Sequence, residues 1–438
     1  MASKSISTEI GRAAWRALIK EGSALGPLKV MAKYVGSFFQ IPLPGFHPFV
    51  VFGSEANRRV LVTERNKLLW RNTDPVTDLL HRGVLIVDGE EHDHYRKLME
   101  VPLHPSQLPN YTQMMIEQTD RVSSLWKDGE VIDMLVEGRK IALLIIMKTL
   151  FSKNVGNDLP QLWNPILKSI QYISPGLWIL WRKIPRVGYK KPLRELDKYL
   201  FEIIQERRKG TYGTQDLLQH LIDAGLSNDL IRDQMVTMLI AGHDTSTALL
   251  AWTFALLGQH PNIHKRLVEE VNTLDKSPLL DQVIKESLRL YPPIHIGNRR
   301  VAEEMQFREG NIAAGERMFY SIYLTHRDPH VWENADDFCP ERFTHRRKTP
   351  PFAYVPFGGG PRACIGAAFG QAEARLVLAR LLQTHIFQFT NHRIHAHMGA
   401  TLEPHPGVRM RVFHRNPTSP DAESSLAVQR RESPNSGK

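Results

Sequence analysis

The sequence predicts a mainly α-helical protein with small β-sheets, an α+β fold, in a single domain over residues 1–413 with a disordered tail over 414–438. Three observations predict it. Apolar residues recur at helical spacing through most of the region from Ser106 to His260. Short pieces rich in Phe, Val and Ile, bounded by Pro and Gly, occur at Ser37–Phe52, before Tyr323 and over Phe387–Phe413. From Asn416 onward the chain is Ser, Pro and charge, too polar to offset the entropy of ordering.

The elements follow in order. Ile10, Ala14, Trp15, Leu18 and Ile19 give an amphipathic helix expected to pack on its own fold, with membrane contact at most peripheral. Ser37–Leu43 and Pro48–Phe52 read as a strand pair, and Ser54 as the N-cap of a helix through Val62. Asn66–Val87 is irregular, a binding loop or lid. A helix opens at Asp88-Gly89 and ends near Pro102, and helical spacing dominates from Ser106 to Phe151. Asp158–Tyr172 and Tyr189–Arg208 are further helices. Between them, residues 173–188 carry an apolar run with a basic hem, read as a lid over an apolar pocket. Ser227–His260 is the longest periodic stretch, about 50 Å if fully helical, long enough to cross the molecule. Helices at Pro261–Leu274 and Leu279–Leu290 follow, the second stopped by Pro292-Pro293. Strands lead to Tyr323, loop covers Asp336–Phe352, a helix runs from Ala367 to Gln383, and hairpins close the domain.

The 438 residues carry 56 Lys and Arg against 46 Asp and Glu, a net charge of +10. That balance favours an acidic partner, an anionic cofactor or an anionic surface. Nucleic acid is not expected, because no zinc-finger spacing or aromatic RNA-binding motif occurs. Two cysteines, Cys339 and Cys364, exclude a disulfide framework and fit a reducing compartment. No run reaches the roughly 18 apolar residues that span a bilayer, and no targeting signal opens the chain, so a cytoplasmic protein is expected.

The chemistry centres on Phe357-Gly-Gly-Gly-Pro-Arg-Ala-Cys364-Ile-Gly366, a glycine-padded loop running into a helix. A lone cysteine before a helix is more often a small buried residue than a ligand. Here the helix N-terminus favours an anion, so a thiolate is expected at Cys364, and a thiolate on such a loop is a good axial ligand for haem iron. Phe357, Gly358, Gly360, Arg362 and Gly366 around that cysteine form a long pattern that resembles the haem-thiolate loop of the cytochrome P-450 monooxygenases.

Further motifs extend the resemblance. Glu286 and Arg289, at i and i+3, and Arg342 of Pro-Glu-Arg-Phe resemble the family's structural triad beneath the haem. Ala241-Gly-His-Asp244-Thr245 lies mid-way along the longest helix, among residues apolar all round. It resembles the acid–alcohol pair of the oxygen-activation groove. There the resemblance implies that the helix loosens over the iron, that Thr245 steadies dioxygen and that Asp244 feeds protons. His243 is expected outward or at the pocket edge, without a role.

The resemblance implies the P-450 fold with its long central helix over haem b (iron protoporphyrin IX). Cys364 would ligate the iron beside Phe357. His92, Arg96, Arg362 and Arg299 would hold the propionates, with Arg300 a competitor for Arg299. It implies insertion of one oxygen atom of O2 into a small apolar organic substrate, by hydroxylation or epoxidation. Electrons would come from a ferredoxin or flavodoxin with its NAD(P)H-dependent reductase, and His345-Arg346-Arg347-Lys348 is a candidate docking patch. A peroxygenase or redox-neutral rearranging enzyme on the same fold is the alternative, which Asp244-Thr245 argues against. A non-enzymatic haem sensor stands behind both.

Overall fold

The structure is a computed structural model and describes residues 8–41, 45–70, 75–176, 186–210, 216–273, 277–344 and 349–415. The lid's central residues 177–185, the patch 345–348 and the tail from 416 lie outside the described residues; His414, assigned to the tail from the sequence, instead ends the last strand, paired with His385.

The chain opens with helices α1 (Thr8–Glu21) and α2 (Leu25–Val35), strands β1 (Phe38–Gln40) and β2 (Phe49–Val51), helix α3 (Ser54–Arg58) and strand β3 (Leu68–Leu69). A helical region follows: α4 (Pro75–Leu80), α5 (Gly89–Leu103), α6 (Leu108–Ser123), the short strand β4 (Val131–Asp133), α7 (Met134–Phe151), α8 (Leu159–Ile173), α9 (Lys190–Lys209), α10 (Leu217–Asp223), α11 (Asn228–Gln259), α12 (Pro261–Thr273) and α13 (Pro278–Leu290). Strands β5 (Ile296–Val301), β6 (Met305–Gln306), β7 (Asn311–Ile312) and β8 (Arg317–Ser321) lead to α14 (Ile322–Thr325) and α15 (Ala367–Thr384). The last strands are β9 (His385–Phe389), β10 (His395–Met398), β11 (Leu402–His405) and β12 (Arg409–His414).

The largest sheet has the order β1-β2-β8-β5-β3 and carries β5 into the site. Its one parallel pair is β2 with β8. A second sheet, β4-β12-β9, joins the middle of the chain to its end. The β10–β11 hairpin stands alone as a ribbon, with His397 opposite Glu403.

α11 is the axis of the molecule. From Ile231 to Leu257 nearly every residue is buried, as expected of a helix sheathed by others on all sides, and the polar ones among them, such as Arg232, Asp233 and Asp244, are held by buried partners. Ser227 caps it by accepting from the Leu230 amide. α7, equally buried, packs along it closely at Gly242, where a Cβ would come within 2.7 Å of Ile146 Cδ1.

Several expectations are corrected. The N-cap of α3 is Gly53, at φ 100°, and Ser54 is the first helical residue. After Arg58 the helix widens to a π turn over Arg59–Thr63. The region Ser106–Phe151 is interrupted by β4, and Asn66–Val87 contains β3 and α4. α1 packs on α2 where Ala17 meets Gly26, yet Trp15 and Ile19 stand 63% and 68% exposed. α11 does not loosen at its centre: it is α-helical throughout, and Thr245 Oγ1 donates back to the Ala241 carbonyl at 2.7 Å.

Candidate active site

The Cys364 loop is shaped by backbone contacts. The Cys364 amide donates to the Phe357 carbonyl at 2.8 Å, folding the loop back on itself. Gly360 has φ 65° and lies against the Leu61 carbonyl, where any Cβ would collide. Cys364 is exposed along one edge although protein packs closely around it. That surrounding raises its thiol pKa, against the Gly366 amide and the Arg96 charge, which lower it.

The cationic residues converge on this loop. Arg96 on α5 donates from Nη1 to the Ala363 carbonyl at 2.7 Å and pairs with Glu100 through Nε at 2.6 Å. His92, one turn earlier, is 4% exposed. Its Nδ1 meets Asp93 at 2.8 Å. Burial lowers its pKa, with the Arg362 and Arg96 charges adding to the effect, so the ring is neutral. Arg362 donates to the Val87 carbonyl and pairs with Asp88 at 2.7 Å. Phe357 is partly buried against the main core.

Arg299 on β5 is buried and Arg300, the next residue, is exposed, as strand alternation requires. The Arg299 guanidinium lies 3.8 Å from the centroid of Trp70 and donates to the Asn298 carbonyl and, at 3.4 Å, to the Tyr320 hydroxyl. Among the described residues no carboxylate lies within ion-pair distance of it, and the more distant Asp88 charge favours its protonated form. Trp70 Nε1 beside it is buried without an acceptor. A buried cation and an orphaned donor next to each other call for an anion. A group bearing carboxylates, as haem does, fits this donor set.

The burial of α11 breaks at one turn. Ala241 is exposed and Gly242 and Thr245 are half-buried, between fully buried neighbours. Asp244 points elsewhere: it is 2% exposed, accepts from Thr401 Oγ1 at 2.7 Å, and lies 3.3 Å from Arg139 Nη2. His243 is not at a pocket edge. It is fully buried against α7, with Nε2 at 3.1 Å from the Arg139 carbonyl, and desolvation drives its pKa down to about 3. Ser246 Oγ, next to Thr245, bonds Glu373 on α15 at 2.6 Å. That bond ties the Thr245 turn to the helix that Cys364 leads into.

Glu286 is at the centre of the predicted triad. Both its oxygens bind Arg289, at 2.7 and 2.8 Å, and Oε1 also accepts from Arg342 Nε at 3.0 Å and from the Cys339 amide at 2.9 Å. The remaining guanidinium donors reach carbonyls of His326, Glu333, Asn334, Ala335 and Asp337. The network is buried and satisfied, and it pins the loop ahead of Cys364 to α13.

Sequence reasoning missed Arg139, Glu373 and Glu403. Only Glu373 carried a signal: it shares an apolar helix face with Phe369 and Val377, so a buried acid was readable there.

Residues 26–398 match the family profile described as Cytochrome P450. A pentalenene oxygenase of Streptomyces avermitilis is 30% identical over 70% of this chain and 74% of its own. A putative cytochrome P450 120 of Synechocystis is 31% identical over 80% of this chain and 83% of its own. The solved structure of a retinoic acid-bound cyanobacterial CYP120A1 superposes with a TM-score of 0.82 at 26% identity, over 91% of this chain and 96% of that one. Among the described residues no helix is long and apolar enough to cross a membrane.

Proposed function

The chain belongs to the cytochrome P450 family of haem b-binding oxidoreductases, and from that premise we propose that it inserts one atom of O2 into an apolar organic substrate, by hydroxylation or epoxidation. Electrons come from a ferredoxin or flavodoxin served by an NAD(P)H-dependent reductase. The observation that carries this reading is the gathering of His92, Arg96, Arg299 and Arg362 about the Cys364 loop, with no carboxylate among the described residues within ion-pair distance of Arg299.

Cys364 Sγ would hold the iron, and Arg299, His92, Arg96 and Arg362 the propionates, Arg362 while still paired with Asp88. The bound haem supplies the oxygen activation and the electron storage. The protein contributes position and protons. Thr245 Oγ1, half-buried at the open turn, can rotate from the Ala241 carbonyl toward a guest and hold a proton there. Asp244, the next residue, is buried against Thr401 and Arg139 and is the acid that would supply the proton. Exposed Ala241 and Ile294, the latter 41% exposed, offer an apolar surface and few hydrogen bonds, which suits a mostly hydrocarbon guest. Pentalenene and retinoic acid, named with two relatives, are of that kind.

The test is the absorption spectrum of the reduced protein under carbon monoxide. Thiolate ligation shifts the Soret band strongly to the red. A band at the position of histidine-ligated haem, or no haem uptake, sinks the reading.

A further inference from the structure

Asp244 is not a lone acid. Arg139 on α7 contacts both Asp244 and Glu403, and Glu403 comes from β11, more than 150 residues further along the chain. The two carboxyl groups are also within hydrogen-bond contact of each other. Asp244 is buried, while the Glu403 side chain keeps 20% of its surface exposed. Two carboxylates and one guanidinium in a space this dry would carry a net negative charge. Retaining one proton on the carboxyl pair makes the trio neutral.

We propose that Asp244 and Glu403 share one proton, and that Glu403 is the outer station through which that proton reaches Asp244 from solvent. The inference rests on the haem-thiolate reading only for the use made of the proton. In the step itself the Glu403 O–H bond breaks and an Asp244 O–H bond forms. Once Asp244 has passed its proton on, Glu403 takes a new one from hydronium or a buffer acid at its exposed edge, which returns the pair to one proton. Arg139 stays charged and keeps both carboxyl groups in place. Thr401 donates to Asp244 Oδ2, which fixes the face the acid presents.

Every neighbouring charged or titratable group fits this order. On α11, His243 is neutral and held by the Arg139 carbonyl, so it does not compete. On β10, exposed His397 stands opposite Glu403 in the ribbon, with His395 and His405 beside it. Partial burial, and after it the neighbouring His405 and His395, lower the His397 pKa, so that ring is mostly neutral above pH 7. Burial and the Asp244 charge raise Glu403 to about 7. Glu403 and Thr401 sit on the same hairpin, so Glu403 is a positioning residue whose register with α11 sets the supply to Asp244.

The test uses the haem-loaded protein and two readouts. Infrared titration between about pH 6 and pH 9 should show a protonated buried carboxyl that ionises in this range. Glu403→Gln should remove that band. Glu373→Gln, the other buried carboxyl of raised pKa, should leave it. In the second readout, chemically reduced protein is mixed with O2 and the return of the oxidised Soret band is followed in H2O and D2O. Parent protein should slow with rising pH and slow at least 2-fold in D2O. Glu403→Gln should lose both dependences, and Glu403→Asp should recover the pH profile. No titrating band assignable to Glu403, or a parent-like pH profile and isotope effect in Glu403→Gln, overturns the proposal. Absence of the red-shifted Soret band under carbon monoxide overturns the haem-thiolate reading instead, and the infrared result stands apart from it.

Discussion

Ser246 on α11 donates a 2.6 Å hydrogen bond to Glu373 on α15, inside a helix interface closed to water. Among the described residues Glu373 has no cation partner, and desolvation raises its pKa to about 8. The neutral acid is therefore the folded form at neutral pH. In the unfolded chain the same group ionises near its ordinary value, so stability is fully present below about pH 4.5 and is lost as pH rises to about 8. Glu373→Gln keeps an acceptor for Ser246 and removes the ionisation. Relative to the parent, the variant should gain stability as pH rises, by on the order of 3 kcal/mol at pH 9. Urea unfolding at pH 5, 7 and 9 checks it, and a difference that does not change with pH refutes it.

Glu286 accepts from two guanidinium groups and an amide with no exposed surface. Glu286→Gln leaves Arg289 and Arg342 buried with too little negative charge between them, at a cost of about 3–5 kcal/mol. Since the network pins the loop that delivers Cys364, haem content should fall with stability. Soluble yield, the thermal midpoint and the haem-to-protein ratio measure this together. The reverse pairing at the surface, Arg266 with Glu341, should cost under about 1 kcal/mol when removed.

Gly242 sits in a helix interior, where glycine costs about 1 kcal/mol relative to alanine. Its place is explained by α7: a Cβ would meet Ile146 Cδ1 at 2.7 Å and Cγ1 at 3.2 Å. Overpacking of about 1–3 kcal/mol outweighs the gain in helix propensity. Gly242→Val should therefore destabilise by at least about 2 kcal/mol. Ile146→Ala in the same chain should recover part of it, giving a coupling of about 1 kcal/mol in denaturant titrations. Additive effects of the two substitutions would show that the helices do not meet at this point.

Much of this was legible from local pattern. The all-round apolar spacing from Ser227 to His260 defines α11 to within a residue at each end, since Ser227 is a cap and His260 precedes Pro261. The Cys364 loop and the Glu286, Arg289 and Arg342 set are readable because a loop with three glycines, a proline and an arginine, and a motif on a helix face, are local. What was not legible depends on distant pairing. Val131-Ile132-Asp133 is too short to signal a strand and forms one only against β12. Arg139 and Glu403 look like ordinary charged residues until folding sets them on either side of Asp244. The break in the burial of α11 is likewise invisible in its sequence, because Ala241 and Ala251 are the same residue type with opposite exposure.

Arg299 gives the prediction whose sign depends on occupancy. Its guanidinium is buried, desolvation lowers its pKa, and its partners are a carbonyl, a phenol and the face of Trp70. Without an anion it is a cost to the fold, since a buried charge needs a counter-charge. With a propionate beside it, the same group contributes charge-assisted hydrogen bonds of about 1.5–3 kcal/mol. Arg299→Leu should therefore leave the haem-free protein as stable as the parent or more so, and weaken haem retention roughly 10–100-fold. Arg300→Leu, on the exposed face of the same strand, should change neither. Thermal midpoints of haem-free protein and transfer of haem to apomyoglobin measure the two arms. Equal loss of stability in both states would assign Arg299 to packing alone, and a haem loss confined to Arg300→Leu would reverse the assignment.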